Sequence, residues 1–140
     1  MKYFLSLVLV LFSLAFVNAQ THADKVEEIN YYTARMSLED LQIGKTVKII
    51  QNKYHKYEAF KNLKSSNPDL YYAKLKSTFD ATIDNMEGVM VSFRQKEDFV
   101  LYRNDLQTQY AQLMQQYQAQ GMSVDEATHQ YYKTVFFSTL

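Results

Sequence analysis

Cysteine and tryptophan are absent from the 140 residues, proline occurs once and glycine three times. Without cysteine there is no disulfide framework, no thiolate nucleophile and no thiolate metal ligand. Pro68, Gly44, Gly88 and Gly121 are the whole stock of helix breakers, so long helices joined by tight turns are expected. There is no glycine-rich phosphate loop and no serine in a strand-to-helix elbow. The carboxylate pairs Glu27-Glu28 and Glu97-Asp98 are adjacent and point to different helix faces. No catalytic constellation is therefore present, and the chain is not expected to be an enzyme. His22, His55 and His129 are scattered; His55 with Glu58 and Asp125 with His129 have helix-face spacing, yet neither builds a set of three or four ligands. No metal site and no cofactor are expected.

The chain opens Met1-Lys2, runs apolar from Tyr3 to Val17 except for Ser6 and Ser13, and reaches Val17-Asn18-Ala19. A positive start, about fifteen apolar residues and a small-residue junction are the parts of a cleavable export signal. A membrane-spanning helix needs about 20 apolar residues. Cleavage after Ala19 and a periplasmic or secreted product without stable membrane insertion are the expectation. An exported helical chain lacking cysteine fits a bacterial envelope, because small secreted eukaryotic domains generally rely on disulfides. Removing 19 of 140 residues leaves 121, the size of one domain. The full chain has 15 basic and 15 acidic residues; loss of Lys2 leaves 14 against 15, a net charge of −1 with histidine neutral. That balance argues against nucleic acid as a partner.

Apolar spacing of three and four predicts helices at about 23–35, 38–64, 68–90, 93–120 and 124–137. Ser37 reads as a cap, with Asp40 three residues on, for a second helix whose stripe is Ile43, Val47, Ile50, Tyr54 and Tyr57. Gly44 inside it reads as close packing or a bend. Asn67-Pro68-Asp69 starts the third helix, Ser92 the fourth, and Ser123 with Glu126 the fifth; Gly121 is placed to end the fourth in a left-handed conformation. The second helix, at about 27 residues, would reach roughly 40 Å. Such rods predict an all-α fold, an elongated antiparallel bundle of helical hairpins. A curved plate that pairs as a dimeric cradle is its open alternative.

From Lys45 to Lys64 six lysines stand against one acid, Glu58, whereas from Ser77 onward eight acids stand against four bases. On the helical wheel Lys45, Lys48, Lys53 and Lys56 lie largely opposite the apolar stripe. This flank is either a solvated face bridged to the acidic C-terminal half, or a surface that captures acidic or unfolded polypeptide, with Tyr54 and Tyr57 near its rim. Tyr31-Tyr32, Tyr71-Tyr72 and Tyr131-Tyr132 each point about 100° apart, so one member of each pair is a candidate for exposure.

Three segments share one form: Met36-Ser37-Leu38-Glu39-Asp40, Val91-Ser92-Phe93-Arg94-Gln95 and Met122-Ser123-Val124-Asp125-Glu126. Helix starts with a capping serine account for each of them locally. The first two also resemble the LTxxQ motif of Spy/CpxP-like envelope proteins, and the resemblance extends over roughly Ala23 to Tyr117. It implies helical hairpins that often form a cradle-shaped homodimer. It also implies an ATP-independent chaperone or an envelope-stress regulator whose partners are client polypeptides or a sensor domain. A structural subunit of an envelope complex and a metal-responsive protein are the alternatives.

Overall fold

The computed structural model describes residues 24–138, so the expected leader, its junction and His22 lie outside the described residues. Helix α1 spans 24–35. It is followed by α2 (Asp40–Phe60), α3 (Leu63–Ser66), α4 (Pro68–Glu87), α5 (Phe93–Ala119) and α6 (Val124–Phe137). The fold is all-α, with no strand among the described residues. The single rod expected over 38–64 is divided. Its ladder tightens after Phe60, where Lys64 N–H donates to the Lys61 carbonyl at 3.2 Å, and α3 continues as a separate turn.

Helices α2 and α4 form one hairpin and α5 and α6 another, and α4 packs on α6 to join the two. Helix α1 completes the circuit. Glu28 meets Lys53 of α2, and the Tyr32 and Tyr102 hydroxyls share a hydrogen bond of 2.9 Å with α5. The chain thus closes as a bundle, and α6, rather than solvent, covers the inner side of α4 and α5. One apolar cluster runs through it, including Tyr32, Tyr54, Phe79, Phe99, Tyr102 and Phe136. The tyrosine pairs divide between environments: Tyr32, Tyr71 and Tyr131 are buried while Tyr31, Tyr72 and Tyr132 are half-buried.

The helix starts at Asn67-Pro68, Ser92 and Ser123 form as expected. Asn67 Oδ1 accepts from Leu70 N–H at 3.2 Å, and both serines close capping boxes, with Gln95 and Glu126. Gly121, at φ 88°, ends α5 with Met122 N–H bonded to the Tyr117 carbonyl and Gly121 N–H to that of Gln118.

Ser37 behaves differently from its expected role as a cap. It sits at φ 49°, and the same pair of bonds, Leu38 N–H to Thr33 O and Ser37 N–H to Ala34 O, makes it the left-handed terminus of α1. The cap of α2 is Glu39, whose N–H donates to Gln42 Oε1 at 3.1 Å. The start of α2 is therefore Leu38-Glu39-Asp40-Leu41-Gln42, two residues later than Ser37 suggests.

In that register the starts of α2 and α5 meet. Gln42 and Gln95 are both buried, and each amide donates to the other's carbonyl at 2.9 Å. Gln42 Nε2 also donates to Val89 O, and Gln95 Nε2 to Ser37 O. Each glutamine oxygen meanwhile accepts from the N–H of its own cap residue, Glu39 or Ser92. The contact fastens the N-termini of α2 and α5 together with every amide group engaged.

Gly44 does not serve the close approach of a neighbour, because a Cβ at that position meets open space. Gly44→Ala is expected to raise stability by about 1 kcal/mol. Ser37→Gly, which relieves a left-handed serine, is expected to raise it by about 0.5 kcal/mol. Urea unfolding of the three chains checks both, and an unchanged or lower midpoint for either variant contradicts the assignment at that position.

Candidate binding surface on the basic hairpin

The buried arc of α2 comprises Gln42, Thr46, Ile50, Lys53, Tyr54 and Phe60. It is rotated by roughly 50° from the stripe that the apolar residues trace, taking 100° per residue. That rotation corrects half of the expected lysine flank. Lys53 is 1 % exposed, and its Nζ lies 2.8 Å from both Glu28 carboxylate oxygens. The ammonium also sits over the rings of Phe136, at 4.7 Å, and Tyr54, at 5.0 Å. Tyr54 is buried. Tyr57 is half-buried and turned toward α6, packing on Phe136 and Phe137, so neither tyrosine borders a lysine surface.

Lys45, Lys48 and Lys56 are exposed, as expected, and none is in an ion pair among the described residues. The single acid of this stretch, Glu58, is held by Lys61. Eleven residues separate Lys45 from Lys56, which on a helix brings them within about 20° of one flank; Lys48 stands about 60° outward. At its Lys56 end this flank meets α4 in an open groove of about 430 Å³. Phe60, Ala59, Leu63 and Thr78 line it, and Lys56 of α2 and Lys74 of α4 stand on its two sides. Phe60 is buried and Leu63 half-buried, so the floor is apolar and its edges are cationic.

Comparison with known protein families, curated proteins and solved structures finds no match.

Chemically, the groove offers two ammonium groups, unpaired among the described residues, around an apolar floor, with the Ser77 and Thr78 hydroxyls and no carboxylate on its walls. The two described histidines lie elsewhere: His55 is exposed on α2, and His129 stacks on Tyr72 at 4.0 Å. No group of three potential metal-binding side chains occurs among the described residues.

Lys74, Phe60 and Leu63 are missed by a reading confined to one helix. Lys74 belongs to this surface only because α4 folds back on α2. Phe60 carried a usable signal, since it stands seven residues from Lys53 and so on the same side of α2.

The Glu28–Lys53 pair holds α1 to this hairpin. Burial raises the Glu28 carboxyl above its ordinary 4.5 and lowers the Lys53 ammonium below its ordinary 10.5, although each partner draws the other back toward its charged form. Lys53→Met is expected to destabilise by about 3–5 kcal/mol by leaving a buried carboxylate alone, whereas Glu28→Leu combined with Lys53→Met is expected to be near neutral. Because Glu28 titrates higher when folded, its stabilising contribution is complete below pH 4.5 and is lost as pH rises through its folded value. Stability of the wild type relative to the double variant should therefore fall with pH in that window. A flat difference contradicts the raised carboxyl, and a double variant as unstable as the single one contradicts a buried ion pair here.

Proposed function

We propose that this chain is an exported, non-enzymatic binding protein of the Spy/CpxP-like kind, which holds acidic or unfolded polypeptide segments against the α2–α4 hairpin. The observation that carries the reading is the pair Lys56 and Lys74, set on facing helices across an apolar floor without acidic partners among the described residues. An extended acidic segment bearing apolar side chains meets both features at once. Lysine stems also cover apolar surface while their charges stay hydrated. Lys45 and Lys48 extend the positive field along α2 and would speed encounter, an effect that salt weakens. The clasp of Gln42 and Gln95 supports the family resemblance, since Leu38 to Gln42 places leucine and glutamine at the two ends of the LTxxQ form.

A second reading, a subunit of an envelope assembly, is favoured by the exposed apolar side chains Val91, Phe93, Val100 and Leu101 at the start of α5. Such a subunit would be recovered with a stoichiometric partner and would leave aggregating proteins alone.

Aggregation of a reduced, acidic model protein should be suppressed by residues 20–140 at low salt. Lys56→Glu with Lys74→Glu should weaken suppression about ten-fold, while Lys64→Glu should change it little. No suppression at stoichiometric excess, or equal suppression by the double charge reversal, defeats the proposal.

A further inference from the structure

On the opposite side of α4 a larger cleft opens between α4 and α5, with α6 as its floor. It measures about 530 Å³, within the range of ligand-sized sites. Ile83 and Phe79 of α4, Leu106 of α5 and Tyr131 of α6 are buried in its wall and floor. Tyr110 and Tyr132 close around them, with Tyr110 edge-on to Tyr131 at 4.8 Å. Asp80 and Asp84 stand on its α4 lip, one helical turn apart, and Glu87 continues the row.

This cleft differs from the basic hairpin in the sign of its charge. Three acids on the lip face two bases, Lys76 on Asp80 and Arg103 on Asp84 and Glu87. All five side chains are more than a third exposed. Ion pairs of that kind contribute little and exchange readily with an incoming cation. The lip already shows the chemistry it favours: the Lys76 ammonium binds Asp80 while lying 5.3 Å over the Tyr132 ring. Burial raises the hydroxyl of Tyr131, to about 12, with smaller contributions from Tyr132 and Asp80, and burial followed by the charge of Asp80 raises that of Tyr132.

The shape narrows the ligand further. Asp80 and Asp84 lie about 6 Å apart along the helix. A single ammonium ion meets one of them, whereas a chain bearing repeated cations meets both. The buried aromatic floor in turn requires an apolar anchor beside those cations.

We propose that this cleft is a second polypeptide-binding site, which takes a basic segment with an apolar or aromatic residue between lysines or arginines. The anchor rests on Phe79, Ile83, Leu106 and Tyr131, and the flanking cations displace Lys76 and Arg103 from the acidic lip. The site rests on its own geometry and does not require the basic hairpin to bind anything.

A fluorescein-labelled pentapeptide alternating lysine with phenylalanine and leucine serves as the probe, read by anisotropy on residues 20–140. The glutamate-for-lysine peptide and the serine-for-apolar peptide should each bind about ten-fold more weakly. Asp80→Asn with Asp84→Asn should weaken the lysine peptide about five-fold and flatten its salt dependence. Gln107→Trp, a substitution at an exposed position on the α5 lip, should obstruct the cleft and abolish binding while the far-ultraviolet circular dichroism stays unchanged. Equal binding of the glutamate or serine peptide overturns the proposal, as does insensitivity to all three substitutions. Competition by hexylamine at the same concentration as the peptide also overturns it, by assigning the cleft to small amines instead of polypeptide.

Discussion

The buried pair of Glu28 and Lys53 decides how α2 is turned, and the surface of the hairpin depends on that turn. A helix bearing Ile43, Val47, Ile50 and Tyr54 would bury those four if apolar contact alone chose its rotation. Instead Gln42, Thr46 and Lys53 are buried with Ile50 and Tyr54, while Ile43 and Val47 are only half-covered. A buried ammonium is tolerated only with a partner of opposite charge and good geometry. Glu28 on α1 is such a partner, so the placement of α1 and the rotation of α2 are settled together. The turn moves Lys45 and Lys56 onto the flank that borders α4, and it removes Lys53 from solvent.

A second polar contact acts at the far end of the same helix. The amides of Gln42 and Gln95 join residues 53 positions apart, and each also completes the first turn of its own helix. A one-residue slip of α2 or α5 would break the mutual amide bonds and leave buried groups unsatisfied, which costs more than the bonds themselves contribute. Apolar packing among many tyrosines, phenylalanines and methionines tolerates repacking. Two directional contacts, one ionic and one between amides, supply the register that such a core leaves loose.

Much of this was legible in the order of the residues. The caps at Asn67, Ser92 and Ser123 and the left-handed stop at Gly121 mark helix ends because each acts through hydrogen bonds to residues a few positions away. The all-α bundle follows from the same local rules. Ser37 misled because serine serves at a cap and, less often, in a left-handed turn; only the closing bonds from Leu38 and Ser37 distinguish the two. The lysine surface was half legible. Lys45, Lys48 and Lys56 are exposed as their spacing implies, but the burial of Lys53 depends on Glu28, 25 residues away on another helix. Lys74 joins the groove through tertiary folding alone, and the acidic cleft needs three helices to exist.

Helix α4 carries both surfaces, and its width explains why they do not cancel. Lys74, Ser77 and Thr78 line the groove toward α2, while Phe79, Asp80, Ile83 and Asp84 line the cleft toward α5. A helix with its side chains is about 10–12 Å across, and the screening length at physiological salt is about 8 Å. Each set of charges is therefore largely hidden from the other, and a nearly neutral chain presents two local fields of opposite sign. Uneven spacing of lysines and acids along the sequence thus becomes, through one shared helix, a spatial separation of charge.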